Sequence, residues 1–306
     1  LSQSKRDDVF TTNMKMRRFF KKAVFFALIA FISFALVASH GMTNHKLMAN
    51  IQNQQNCLMT YSLGKNGELT QRCTNIPQTV SPTPSTQLTP NLNLSEKERF
   101  LALITNKLPT IPAPNTYEYI LLRAYGSAFV NQKPEIKLPP QVLFNNEQET
   151  KQFQSTLTMG KVNGTSNCYL QKSAADALNI AKSQVQIPLK SGYGASDCTR
   201  NFATNLRFWQ KYANNNTLEQ VRQGKETKIL GLVAPPGASQ HLWGLAVDLR
   251  VSNEAQKQAL NQNGWYRTVE YDIPHWTYVG LAPDKLAEFG FQNKVVEGIN
   301  YWVTPL

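Results

Sequence analysis

Between Leu245 and Arg250 the chain puts a carboxylate into an apolar strand, and no other stretch restricts the fold as much. Successive side chains of a strand point to opposite faces. Leu245, Val247 and Leu249 share one face and suit a core; Ala246, Asp248 and Arg250 share the other. A carboxylate buried without a partner is strongly destabilising. A cation or a metal ion is therefore expected beside Asp248, and the small Ala246 next to it leaves room.

The histidines point to the metal. The chain has four of them; His40 and His45 lie near the N-terminus, while His241 and His275 each sit in a dense pattern. The first pattern is Ser239-Gln240-His241-Leu242-Trp243-Gly244-Leu245-Ala246-Val247-Asp248, and the second is Glu270-Tyr271-Asp272-Ile273-Pro274-His275-Trp276. Pro274 forbids a regular helix through Asp272 and His275. A loop running into a strand brings both side chains to one site instead. His241, Asp248 and His275 form a ligand set for one zinc ion that leaves the fourth position to water. Zinc lowers the pKa of water toward neutrality. Asp272 is then the acid/base that takes a proton and hands it to the leaving amine, with Glu270 as the fallback.

The N-terminus carries export grammar. Lys15-Met16-Arg17-Arg18 and Lys21-Lys22 form a positive block, residues 23–38 form an apolar run, and Val37-Ala38-Ser39 supplies small residues for a cut after Ser39. Met14 or Met16 is the natural start of such a segment, which leaves residues 1–13 as an extension before it. The run is short of the ~20 residues of a spanning helix, so a signal peptide is expected, with a membrane tether as the alternative once Phe19-Phe20 are added. The formal net charge is +12, only part of which sits in the positive block. The remainder favours an anionic partner such as acidic lipid or cell wall. No basic stripe is interleaved with aromatics, so nucleic acid is not an expected partner.

Four cysteines fit an oxidising compartment, the periplasm or cell envelope. Local pairing, Cys57 with Cys73 and Cys168 with Cys198, is expected among three possible connectivities. The absence of any C-x-x-C spacing argues against a cysteine zinc cluster.

Four regions are expected: an extension and signal or anchor (1–39), a disulfide-clipped hairpin (40–76), a Pro/Ser/Thr linker (77–94) and a catalytic domain (95–306). Within the last, Ser95 and Glu98 form a capping box ahead of an apolar-periodic helix. Helices are also expected at 116–130, 147–157, 172–183 and 201–212, and strands at 141–144, 186–190, 243–251 and 276–279. This mixture is α+β, a small antiparallel sheet with flanking helices.

The motif S-x-H-x-x-G-x-A-x-D, followed by acid-x-x-His-aromatic, resembles the VanY-type zinc D-Ala-D-Ala carboxypeptidases of the lysostaphin/D-Ala-D-Ala/hedgehog metallopeptidase group. The resemblance covers about residues 168–280. It implies a hedgehog/D-Ala-D-Ala peptidase-like fold, zinc at His241, Asp248 and His275, Asp272 as acid/base, and peptidoglycan stem peptide as substrate. It also implies that Ser191, Tyr193 and Ser239 meet the peptide. Two departures stand out. Aspartate replaces the usual glutamate three residues before the last histidine, a form similar to the L-alanyl-D-glutamate endopeptidases. Gly194 stands where the family's S-G-Y-R segment has arginine, and Arg200 is the candidate replacement. The resemblance thus implies an exported D-Ala-D-Ala carboxypeptidase, with an endopeptidase or a non-catalytic wall-binding module as alternatives.

Overall fold

The computed structural model describes residues 57–63, 69–75, 89–192 and 194–306. The signal-like segment, most of the linker, the side chains of Cys57 and Cys73, and Tyr193 lie outside the described residues. The chain divides into two units, Leu1–Thr83 and Pro84–Leu306. In the first, the strand Cys57–Leu63 pairs antiparallel with Leu69–Asn75. Among the described residues no helix is long and apolar enough to cross a membrane.

The second unit is α+β. Its centre is a three-stranded antiparallel sheet in which His275–Tyr278 lies between Ala246–Asp248 and Trp265–Tyr266. Register sets Asp248 opposite His275, Val247 opposite Trp276 and Ala246 opposite Thr277. Because opposed residues share a face, Asp248, His275, Ala246 and Thr277 come to one side, and Val247 and Trp276 pack into the core on the other.

Helices cover this sheet. Lys172–Gln184 buries Ala174, Ala175, Leu178 and Ala181 and packs on the helix Glu254–Gln262. Its small side chains let the backbones approach. It ends at Val185, which turns to extended backbone ahead of Pro188. Phe202–Tyr212 starts at Asn201, whose side chain accepts from the Thr204 amide. On the N-terminal side, Ser95 and Glu98 close the capping box on Glu96–Ile104. Tyr117–Tyr125 follows and tightens into a 3-10 turn, Gly126–Val130. Phe129 of that turn meets Trp243 edge-on at 5.3 Å. Both rings are fully buried, and burying a ring of this size contributes about 1.5–3 kcal/mol. This packing seats the N-terminal helical layer behind the segment that carries His241.

Four expected elements come out differently. Residues 141–144 form no strand: Val142 and Phe144 are buried, but among the described residues the only backbone bond to a neighbouring segment is Phe144 N–H to the Gly237 carbonyl. The strand at 186–190 shrinks to a single bridge, Leu189 with Leu249, since Pro188 has no N–H to give a ladder. The strand over 243–251 is only Ala246–Asp248 long, because Gln240–Trp243 is a 3-10 helix. Gly244 ends that helix at φ 67°, and a Cβ there would sit 3.2 Å from the Gln171 amide nitrogen. Only glycine turns the chain there without strain. The helix at 147–157 stops at Gln154.

Candidate metal centre

Three elements deliver three candidate ligands. Asp248 ends its strand, His275 begins the partner strand directly opposite, and His241 comes from the 3-10 helix Gln240–Trp243. One donor atom from each lies within 4.8 Å of the others. His241 Nε2 is 3.3 Å from Asp248 Oδ1, and His275 Nδ1 is 3.7 Å from the same oxygen. The three residues are 1, 7 and 5 % exposed for His241, Asp248 and His275.

Each ligand is held from behind. His241 Nδ1 lies 2.8 Å from the Cys198 carbonyl, which can only accept; Nδ1 therefore carries the proton and Nε2 a lone pair. His241 Nε2 is buried with no hydrogen-bond partner, a costly state unless something binds it. His275 Nε2 lies 2.8 Å from Gln240 Oε1, leaving Nδ1 to face Asp248. Arg200 Nη2 donates to Asp248 Oδ2, so Oδ1 is the oxygen turned to the histidines. Two imidazole nitrogens and one carboxylate oxygen, each backed by an outer hydrogen bond, fit a zinc ion.

Burial pushes the His241 imidazole down to about 4, and the Arg200 charge adds to this, so the ring is neutral and able to ligate. Burial alone would raise the Asp248 carboxyl, but the two histidines and Arg200 hold it well below the usual carboxylate range. Asp272 Oδ2 lies 4.0 Å from His275 Nδ1, with a quarter of its side chain (25 %) open. Enclosure on its other sides raises its carboxyl to about 6, against the lowering pull of His275. A carboxyl in that range suits proton transfer near neutral pH. Glu270 instead pairs with Lys294 at 2.8 Å and borders a different cavity.

A cavity of about 500 Å³ opens over these residues. Its wall includes Ser191, Arg200, Ser239 and Lys190. Ser191 N–H and Oγ–H both donate to Asp197 Oδ2, at 2.7 and 2.6 Å. The Asp197 carbonyl in turn accepts from the Asp248 amide at 2.8 Å. Ser239 Oγ accepts from the His241 amide at 3.4 Å and caps its 3-10 helix. Arg200 is spent on protein groups: besides Asp248, its Nε donates to the Ser196 carbonyl and its guanidinium covers Phe208 at 4.7 Å. Gly194 has φ 97°, and a Cβ there would come within 2.9 Å of Asn167 Oδ1. The backbone conformation at 194 therefore disfavours an arginine.

Sequence reasoning missed Gln240, Asp197 and the Cys198 carbonyl. Gln240 left one signal, a polar side chain next to a ligand in a stretch that packs inward. The disulfide Cys168–Cys198, with Cα atoms 5.4 Å apart, forms as expected and ties down the residue whose carbonyl orients His241.

Residues 141–273 match the family model VanY, described as D-alanyl-D-alanine carboxypeptidase. The match takes in His241, Asp248 and Asp272 and ends two residues before His275. No curated protein and no solved structure matches the chain. Over residues 141–273 the chain is therefore similar to the VanY family, whose description is that of a D-alanyl-D-alanine carboxypeptidase, and the same region carries the buried His241 and Asp248 of the His/Asp/His cluster.

Proposed function

We propose that the chain is an exported zinc metallopeptidase that cleaves peptidoglycan stem peptides as a D-alanyl-D-alanine carboxypeptidase. The carrying observation is the meeting of His241, Asp248 and His275 at one buried point with Asp272 beside them, under an open cavity. In this reading residues 95–306 are the peptidase domain, and residues 1–39 direct export, as a cleaved signal or as a tether. Residues 40–76 are a small disulfide-clipped segment, and the linker 77–94 spaces the domain from a membrane or wall.

His241, Asp248 and His275 would hold the zinc, which when bound makes water nucleophilic near neutral pH and polarises a carbonyl. Asp272 takes the proton of the attacking water and delivers it to the departing amine. His241, His275 and Arg200 together keep Asp248 ionised. Ser191 and Ser239 line the approach of the peptide, and the resemblance assigns Tyr193 to the same recognition. The alternative of an L-alanyl-D-glutamate-type endopeptidase is favoured by the aspartate, Asp272, three residues before His275; a non-catalytic wall-binding module is favoured by position 194, which offers no arginine while Arg200 is already engaged by Asp248.

The test is incubation of the exported chain with muropeptides, with and without chelator, and mass spectrometry of the products. Loss of a terminal alanine that chelator abolishes is expected. Internal cleavage would support the endopeptidase, and wall binding without any chelator-sensitive product would support a non-catalytic module. Asp272→Asn should keep one zinc equivalent while lowering turnover about 10²–10⁴-fold; near-normal turnover would remove Asp272 from the mechanism.

A further inference from the structure

Behind His275 lies a closed ring of hydrogen bonds. Gln240, fully buried, donates from Nε2 to the Tyr125 carbonyl at 2.6 Å and to Ser127 Oγ at 2.9 Å. Ser127 Oγ donates to Thr268 Oγ1 at 2.9 Å, and Thr268 Oγ1 lies 2.8 Å from Thr277 Oγ1. Thr277 Oγ1 donates to Gln240 Oε1 at 2.8 Å and closes the circle. The Gln240, Ser127, Thr268 and Thr277 side chains are all buried, so substrate does not reach them.

The direction of every bond follows from Tyr125. A carbonyl only accepts, so the amide nitrogen of Gln240 must face it, and Oε1 must face the other way. Each hydroxyl then has one direction left: Ser127 gives to Thr268, Thr268 to Thr277, and Thr277 to Oε1. The remaining neighbour of Oε1 is His275 Nε2, at 2.8 Å. Oε1 has nothing to donate, so His275 must carry its proton on Nε2. Its Nδ1 is left with a lone pair on the side of Asp248 and His241.

We infer that Gln240 is a positioning residue that fixes His275 in the Nε2–H tautomer and presents Nδ1 to the metal. The inference rests on the reading of His275 as a ligand. It gives work to a stretch without a sequence motif: Tyr125 and Ser127 come from the N-terminal helical layer, and they set which atom of a ligand on the far strand faces the centre. Outer partners of this kind typically change metal affinity 10–100-fold when removed.

Two measurements on the exported chain test this. In metal-free wild type, nitrogen-detected NMR of the histidine rings should find His275 protonated at Nε2; protonation at Nδ1 overturns the inference without any variant. Zinc affinity is then read by competition with a chromogenic chelator. Gln240→Met should lose 10–100-fold, whereas Gln240→Glu, which keeps an acceptor for His275, should stay within a few-fold of wild type even where its thermal stability falls. Equal affinity of Gln240→Met and wild type, or an equal loss in both variants, would leave Gln240 a packing residue and overturn the inference. If wild type itself takes up no zinc, the metallopeptidase reading fails, and the tautomer still reports on the ring.

Discussion

The two sides of the cavity, the one proposed to hold metal and the one proposed to meet substrate, are built differently. On the metal side, His241, Asp248 and His275 are buried, and each is backed by a partner distant in sequence: the Cys198 carbonyl, Arg200 and Gln240. On the other side, Leu232, Tyr271, Ile273 and Tyr212 stand 56, 54, 47 and 44 % exposed around the same opening. Apolar side chains left in water at the rim of a groove mark a surface that meets a ligand. The fold specifies the metal site to within small displacements, because moving any ligand breaks a buried hydrogen bond. It specifies the rim loosely, through side chains turned largely to solvent. Ligand chemistry and substrate choice are therefore separable here, and substitutions on the two sides should differ in kind as well as in size.

The largest effect is expected at Asp248. Asp248→Ala removes a ligand and also strands Arg200, whose side chain is only 12 % exposed. Breaking a buried ion pair by deleting one partner costs about 3–5 kcal/mol. Zinc content should fall to background, and the denaturant midpoint should drop by the corresponding amount. Adding Arg200→Met removes the stranded charge and should recover most of the stability while zinc stays lost. If the double variant is no more stable than Asp248→Ala, Arg200 is not held by Asp248 as the geometry implies.

These long-range partners also explain what the sequence could not convey. Strand alternation puts Asp248 and Ala246 on one face, and Pro274 forces a turn ahead of His275; both are local, and both were legible. The pairings of Arg200 with Asp248, Cys198 with His241 and Gln240 with His275 span 48, 43 and 35 residues and leave no periodic trace. The α+β class was legible from the alternation of helix and strand periods. The strands at 141–144 and 186–190 were over-read because short apolar runs look alike whether they form a ladder or plug a core. Val142 and Phe144 plug; Leu189 makes one bridge. The arginine missing at 194 was legible as a departure, but its backbone cause, the φ of 97°, was not.

A middle-sized effect tests whether the disulfide belongs to the metal side. Cys168 and Cys198 close a loop over a separation of 30 residues, worth about 3–4 kcal/mol in the chain-entropy account. For a domain of this size that corresponds to roughly 6–16 °C in Tm. The paired variant Cys168→Ser, Cys198→Ser should show that loss. It should also weaken zinc binding, because the Cys198 carbonyl that fixes the His241 tautomer loses its covalent tie to Cys168 and is held through the Thr199 hydrogen bonds to the Tyr169 carbonyl. A lower Tm with unchanged zinc affinity would confine the disulfide to general stability and shrink the metal side to its hydrogen bonds.

The smallest effect on stability should come from the rim, and it is the one that bears on substrate. Leu232→Ser alters a side chain that is more than half exposed, and exposed substitutions away from caps and ion pairs stay within about 0.5 kcal/mol. Zinc content, the unfolding midpoint and kcat should all remain at wild-type values. KM should rise, since removing an apolar interaction that is equally strong in the ground and transition states weakens binding without slowing the chemistry. Ile273→Ala makes the sharper version, because Ile273 adjoins Asp272 and its carbonyl accepts from Arg267 Nε at 2.9 Å. That bond uses the backbone and survives the substitution, so Asp272 should stay in place and only KM should move. A fall in kcat with Ile273→Ala would mean that the rim and the acid/base are coupled, and that the division between the two sides runs behind Asp272 rather than in front of it.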